Sequence, residues 1–225
     1  MQVIRIDMPK FGPAVLVEAV QQKVAEQTGE LIYTGRLLVP SERGGVEIRV
    51  RTTRPYTGDL GPVLVAGDDV RLRRYYRSGR PGNASSAITL YCDQLTGTDE
   101  WPTLESRGIP VVLPAGMRLI AGKKSERGDW IATAMFPPDH KYDPDGRTVE
   151  LTVPAEPDPK IAPGSVIVAE GLVAVLSVPD REDIGRYVKA DWRLKALDLD
   201  TPEPARRRTT PTAAAADATA DAAAG

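Results

Sequence analysis

The sequence predicts an all-β fold in which two tandem small barrels, each of about five strands, are followed by a disordered C-terminal tail. Three observations lead to this prediction. Pro and Gly contribute 20 residues each and separate short runs of Val, Ile, Leu, Thr and Tyr, a composition typical of short strands joined by tight turns. No long helical pattern interrupts these runs, and the strand pattern of the first half recurs in the second half.

The strands of the first unit can be followed in order along the chain. Apolar or alternating runs lie at residues 15–19, 31–38, 46–50, 63–65, 70–73 and 87–95. A helix is the alternative for the first run, because Leu16, Val20 and Val24 recur every fourth residue. We favour a strand there, since the corresponding part of the second unit carries Gly122 and Gly128 and has no helical pattern.

The second unit repeats these runs at an almost constant distance. The matching segments are residues 117–121, 130–136, 149–153, 166–168, 172–175 and 187–194, at offsets of 99 to 103 residues. Ordered matches at nearly constant spacing predict a tandem duplication.

Short antiparallel strands without a long helix suit a small closed barrel. The oligonucleotide/oligosaccharide-binding (OB) fold is the leading candidate, and an SH3-like barrel is less favoured. We assign residues 1–98 to a first OB-like barrel, 99–114 to a Gly/Pro-rich linker, 115–199 to a second OB-like barrel and 200–225 to the tail. The tail holds ten alanines between positions 201 and 225 and no large apolar side chain, so it is predicted to be disordered.

Composition excludes several classes of protein. No apolar stretch is long enough for a membrane helix and no signal peptide is visible, which predicts a cytoplasmic protein without a membrane partner. The single cysteine, Cys92, cannot form an internal disulfide, and with the single histidine, His140, it cannot build the common zinc sites. No nucleotide-binding glycine loop, metal cluster or catalytic triad is present, so we expect no cofactor and no enzymatic activity.

A basic and aromatic strand face is the candidate binding site. If Val46, Ile48, Val50, Val70 and Leu72 point inward, the two-residue period of a strand sends the intervening arginines and a tyrosine outward. The candidate nucleic-acid-binding residues on and beside these strands are Arg49, Arg51, Arg71, Arg73, Arg74, Tyr75, Tyr76 and Arg77. Arginine neutralises phosphate, and tyrosine offers a stacking platform for bases. The alternative is that these charges only solvate the barrel and protect an edge strand.

The two units differ in charge. Residues 30–98 hold ten basic and seven acidic residues, net +3, whereas residues 128–199 hold eight basic and thirteen acidic, net −5. Only the first unit is therefore predicted to bind phosphate. Residues 166–169 and 172–176 are apolar on both faces, which predicts that the second barrel packs against the first unit or another subunit.

The order of these signatures also resembles a protein family. Residues 26–30, 33–39 and 46–50, the Leu60-Gly61-Pro62 turn and the strand at 70–72 resemble small uncharacterised "regulatory" proteins of actinobacterial plasmids and integrative or conjugative elements. Residues 149–154, 161–164 and 171–174 of the second unit resemble the same pattern. The resemblance implies an accessory role in mobile-element DNA biology. It carries no functional residues over, and the duplication departs from the single unit usual in those relatives.

Together these features predict a non-catalytic protein that binds single-stranded nucleic acid, with DNA favoured over RNA, in plasmid or mobile-element replication or transfer. The alternative is an interaction or assembly module that docks onto a DNA-transfer or replication protein, or onto further copies of the same chain.

Overall fold

The computed structural model describes residues 3–25, 28–42, 44–77, 85–103, 108–136, 148–177 and 190–202. The predicted tail beyond Pro202 lies outside these residues. The first unit contains a 3₁₀ helix at Met8–Lys10 and the strands β1 (Val3–Ile6), β2 (Ala14–Val24), β3 (Leu31–Ser41), β4 (Gly44–Thr52), β5 (Gly61–Ala66), β6 (Arg71–Arg77), β7 (Ser85–Cys92) and β8 (Gln94–Gly97). The second unit contains β9 (Ile109–Val112), β10 (Arg118–Lys124), β11 (Trp130–Met135), β12 (Thr148–Val153), β13 (Val168–Glu170), β14 (Val173–Ser177), β15 (Asp191–Lys195) and β16 (Asp198–Asp200).

The strand order of the first unit is that of an OB fold. Strands β2, β3 and β4 form an antiparallel meander, and β4 pairs in parallel with β7. Strand β8 follows β7 after the single residue Asp93 and pairs with β5, which pairs with β2. The hydrogen-bonded order is open, with β10 and β8 at its ends, so each unit is a partly open Greek-key barrel. The all-β prediction is confirmed, including the strand at the disputed first run.

The second unit has the same pairing scheme. Strands β10, β11 and β12 form a meander, β12 pairs in parallel with β15, and β15 pairs with β14. Strand β13 pairs with β16 as β5 pairs with β8 in the first unit. An isolated β-bridge between Arg118 and Val166 corresponds to the pairing of β2 with β5. Within the described residues, no helix is long and apolar enough to cross a membrane.

The units are joined through a strand pair that the sequence did not reveal. Strand β1 pairs with β6 of its own unit and with β9, and β9 pairs with β14. Ile6 is directly opposite Val111, and both are buried. Residues 109–112, assigned above to the linker, therefore form a central strand of a 14-stranded sheet.

The core follows the two-residue period of the strands. Leu16, Leu37, Val50, Leu72 and Leu90 are buried in the first unit, and alternate residues of β11 and β12 are buried in the second. One apolar cluster extends through both units. This period decides which side chains remain outside, and it leaves Arg49 and Arg51 of β4 and Arg71 and Arg73 of β6 on the outer side of the sheet.

Candidate nucleic-acid interface

Three adjacent strands carry the candidate site. In the sheet, β7 lies between β6 and β4, and Tyr91 of β7 is aligned with Arg71 on one side and Arg51 on the other. The neighbouring row aligns Thr89 with Arg73 and Arg49. We call the outer surface formed by Arg49, Arg51, Arg71, Arg73, Tyr75 and Tyr91 the Arg/Tyr face.

Tyr91 is the centre of this face. The guanidinium carbon of Arg51 lies 5.5 Å from the centre of the Tyr91 ring, and that of Arg71 lies 5.4 Å from it. The Tyr75 ring lies 6.3 Å from Tyr91 at an interplanar angle of 42°. The guanidinium carbon of Arg73 lies 4.6 Å from the centre of the Tyr75 ring. Cations at these distances are attracted to the ring faces, so the contacts hold the side chains in a connected layer.

The layer is densely packed for an outer surface. Thr89 belongs to the outer face by its register with Arg49 and Arg73, yet it is only 3% exposed. Long arginine stems cover a short side chain between them, because their aliphatic parts lie along the sheet while the charged ends reach water. The face therefore presents guanidinium groups and rings at fixed positions.

The positive charge of the face is only partly compensated. Arg71 forms an ion pair with Asp69, which also pairs with Arg5. Among the described residues, Arg49, Arg51 and Arg73 make no ion pair. Three guanidinium groups thus remain available to an anionic ligand.

The structure separates Arg74 from the other predicted residues. Alternation along β6 directs Arg74 to the side opposite Arg73 and Tyr75, where it forms an ion pair with Asp191 of the second unit. Its guanidinium carbon also lies 5.3 Å from the centre of the Trp192 ring. The backbones of Tyr76 and Arg77 belong to β6, but their side chains are outside the described part of the structure.

Sequence reasoning missed Tyr91, whose ring contacts Arg51, Arg71 and Tyr75. A signal for it existed, because Leu90 is an inward residue and the next side chain on a strand points outward. Its importance depends on the parallel pairing of β7 with β4, which brings Arg51 beside it. That pairing joins residues far apart in the chain and cannot be recognised from local alternation.

Comparison with known proteins gives similarity to solved structures only. No protein-family model and no curated protein matches the chain. A crystal structure of a deletion mutant of the single-stranded DNA-binding protein from Thermus aquaticus is 14% identical, with a TM-score of 0.44, and the match covers 90% of this chain and 94% of that chain. The wild-type protein from the same organism is 12% identical, with a TM-score of 0.42, and the match covers 100% and 97%. The fold assignment therefore rests on the strand order described above.

Cys92 is a core residue of β7. Its side chain is buried, and burial raises the pKa of the thiol to about 12, with a smaller contribution from the neighbouring Asp93 carboxylate. The thiolate is the reactive form of cysteine. The Cys92 thiol is therefore protonated and unreactive at neutral pH.

We expect Cys92 to resist modification by a disulfide reagent at about pH 8 in the folded protein and to react fully in denaturant. Because the folded state raises the pKa, the thiol's contribution to stability is intact below its unfolded pKa, about 8.5, and is lost as pH rises toward 12. Absorbance of the released reagent measures the reaction. Rapid labelling of the folded protein would show that β7 opens or that the thiol is accessible.

Proposed function

We propose that the protein binds single-stranded DNA without catalysis, in the cytoplasm, through the Arg/Tyr face of the first unit. The observation that carries the proposal is the placement of Tyr91 between the guanidinium groups of Arg51 and Arg71. Arginine can neutralise a phosphate, and an aromatic ring can stack with a base. Both groups are present side by side on one surface.

The geometry favours a single strand over a duplex. Bases in a duplex are stacked on one another and cannot lie on a protein ring unless the helix opens, whereas the bases of a single strand are free to do so. The half-buried rings of Tyr75 and Tyr91 are fixed by their cationic neighbours, so little side-chain freedom is lost on binding.

The second unit does not repeat this face. By the same strand pairings, Thr152, Lys195 and Val173 occupy the positions of Arg51, Tyr91 and Arg71. We propose that the chain is a tandem duplication of one unit, supported by the shared pairing scheme, and that only the first copy kept or acquired the Arg/Tyr face.

Salt titration of binding tests the proposal. We expect fluorescence anisotropy to show binding of oligothymidylate at low salt, with the logarithm of the association constant falling against the logarithm of salt concentration with a slope of about −2 to −3. Each neutralised phosphate of a single strand contributes a slope of about −0.7, and the face offers three or four arginines. A duplex of the same length should bind more weakly, and an RNA strand tests the preference for DNA. Absence of binding at low salt would overturn the proposal.

The biological context is a further part of the proposal. The sequence resemblance to regulatory proteins of actinobacterial plasmids supports a role in replication or transfer of a mobile element. A protein that protects or delivers a transferred strand would need sequence-tolerant contacts, and phosphate neutralisation with ring stacking is sequence-tolerant.

An assembly module is the second candidate function. The observation that favours it is an apolar region along β13, where Val168 is 46% exposed and Leu197 is 73% exposed. A cavity of about 350 Å³ lies beside it, lined in part by Leu113, Met117 and Leu172. The salt titration separates the two candidates, because a module that only docks onto a replication or transfer protein, or onto another copy of the chain, would not bind the oligonucleotide.

A further inference from the structure

A large cleft lies where the two units meet. Its volume is about 840 Å³. The second unit contributes the hairpin between β10 and β11 and outer residues of β12 and β15, and the first unit contributes Glu42 and Arg74. The cleft is therefore a composite of both units and does not belong to the Arg/Tyr face.

Two ion pairs between the units form part of its wall. Arg74 of β6 pairs with Asp191 of β15, and Lys195 of β15 pairs with Glu42, in the turn between β3 and β4. The Arg74 guanidinium also contacts the Trp192 ring. These contacts compensate two cations and two carboxylates of the lining and connect the two units at the cleft.

Most of the described cations of the second unit line this cleft. Between residues 115 and 199, the described basic residues are Arg118, Lys123, Lys124, Arg127, Lys160, Arg193 and Lys195. Five of these seven line the cleft. Among the described residues, four of the five make no ion pair, and only Lys195 is compensated. The remaining carboxylates of the lining are Glu126, Asp129 and Glu150.

The hairpin also carries a buried hydroxyl group that has no hydrogen-bond partner. Ser125 lies in the hairpin that lines the cleft, and its side-chain oxygen is inaccessible to solvent and makes no hydrogen bond. The adjoining Trp130 indole N–H is likewise buried without an acceptor, on a ring packed so closely over Gly122 that a Cβ there would lie 2.2 Å from it. A buried polar group without a partner is costly, and rotation of the Ser125 side chain about χ1 toward the cleft would let an oxygen-rich ligand accept from the hydroxyl.

We propose that this cleft binds a second segment of the same single strand, with backbone phosphates on Lys123, Lys124 and Arg127 and an oxygen of the strand accepting from Ser125. The inference rests on the proposed function of the first unit. It contradicts the expectation that only the first unit binds phosphate. Although the second unit is acidic as a whole, five of its seven described cations lie around one cleft. A binding protein of this kind would contact a long strand at two separate sites and a short strand at one.

The test compares two lengths of oligothymidylate, about 8 and about 35 nucleotides, since a single OB unit covers about 4 to 16 nucleotides. In the variant with Lys123→Ala, Lys124→Ala and Arg127→Ala, we expect the affinity for the long strand to fall about 10- to 100-fold and its salt slope to become shallower by about 2. The affinity for the short strand should stay within about twofold of wild type, because that strand occupies the Arg/Tyr face.

A charge-matched control removes three cations elsewhere, with Lys10→Ala, Lys23→Ala and Lys160→Ala. It should bind both lengths nearly as wild type does. The Ser125→Ala variant keeps the charge, and we expect about a threefold loss on the long strand alone, the size of one modest hydrogen bond. Circular dichroism checks that each variant is folded.

The possible results separate the two proposals. Unchanged affinity of the cleft variant for the long strand, or an equal loss on both lengths, would overturn the cleft site and leave the Arg/Tyr face standing. An equal loss in the charge-matched control would also overturn it, because the effect would then be one of net charge. Failure of the wild-type protein to bind either length would overturn both proposals.

Discussion

The variant with Arg51→Ala, Arg73→Ala and Tyr91→Ala is expected to bind a short oligothymidylate at least about 100-fold more weakly than the wild-type protein. Loss of one base stacked on an aromatic ring costs about 1 to 3 kcal/mol, and two phosphate contacts are removed with it. A total of about 3 kcal/mol corresponds to a factor above 100 in the dissociation constant. Fluorescence anisotropy at low salt measures the change.

Matched substitutions identify which chemical group is responsible for the loss of affinity. Tyr91→Phe keeps the ring and should bind almost as wild type, and Arg73→Lys keeps the charge but loses the planar group that stands over Tyr75. Lys23→Ala with Lys160→Ala removes the same number of cations as the triple variant from other surfaces. If the triple variant and this control bound the strand equally, the Arg/Tyr face would not be the binding surface, even with DNA binding itself established.

Truncation of Leu72 is expected to cause the largest loss of stability among single substitutions on β6. Leu72 is fully buried, and its strand lies between β1 and β7, with Ile4 and Leu90 as its aligned neighbours. Leu→Ala in a packed core costs about 2 to 5 kcal/mol, a large part of the roughly 5 to 15 kcal/mol that stabilises a typical domain. Urea denaturation followed by circular dichroism measures the free energy of unfolding.

Leu64→Ala is the matched comparison for this prediction. Leu64 lies on β5 and is 41% exposed, so its truncation should cost about 1 kcal/mol or less. Similar losses for the two variants would show that β6 does not carry the core contacts assigned to it. Such a result would also weaken the connection between units, because β6 holds the strand that pairs with β9.

The alternation of apolar and polar residues predicted the positions of most strands and most residues of the candidate face. Ile48, Val50, Val70 and Leu72 are buried, so the alternate residues of β4 and β6 lie on the outer side of the sheet. These outer residues are Arg49, Arg51, Arg71, Arg73 and Tyr75. Arg74 follows the same period to the opposite side and contacts the second unit. Adjacency in sequence placed it in the predicted set, although the strand period already separates it from Arg73.

The number and connection of strands could not be predicted in the same way. The predicted count of about five strands per unit became eight because the short strands β1, β9 and β16 were not recognised, and because Asp93 divides the run at 87–95 into β7 and β8. The proposed repeat also shifts in register. Val46–Val50 was aligned with residues 149–153, whereas pairing with β7 and β15 makes Leu151 the counterpart of Val50. A shift of two residues keeps the same side chains inward, so the hydrophobic pattern does not detect it.

The pairing of β1 with β9 also bears on how the two units can differ. In a symmetric pair of identical chains, every substitution occurs twice and both partners present the same surface. Here the two sides of the junction at Ile6 and Val111 are encoded separately within one polypeptide. Cationic and aromatic groups can therefore accumulate on one side while valine and threonine occupy the other, and the ratio of the two surfaces stays fixed at one to one at any protein concentration.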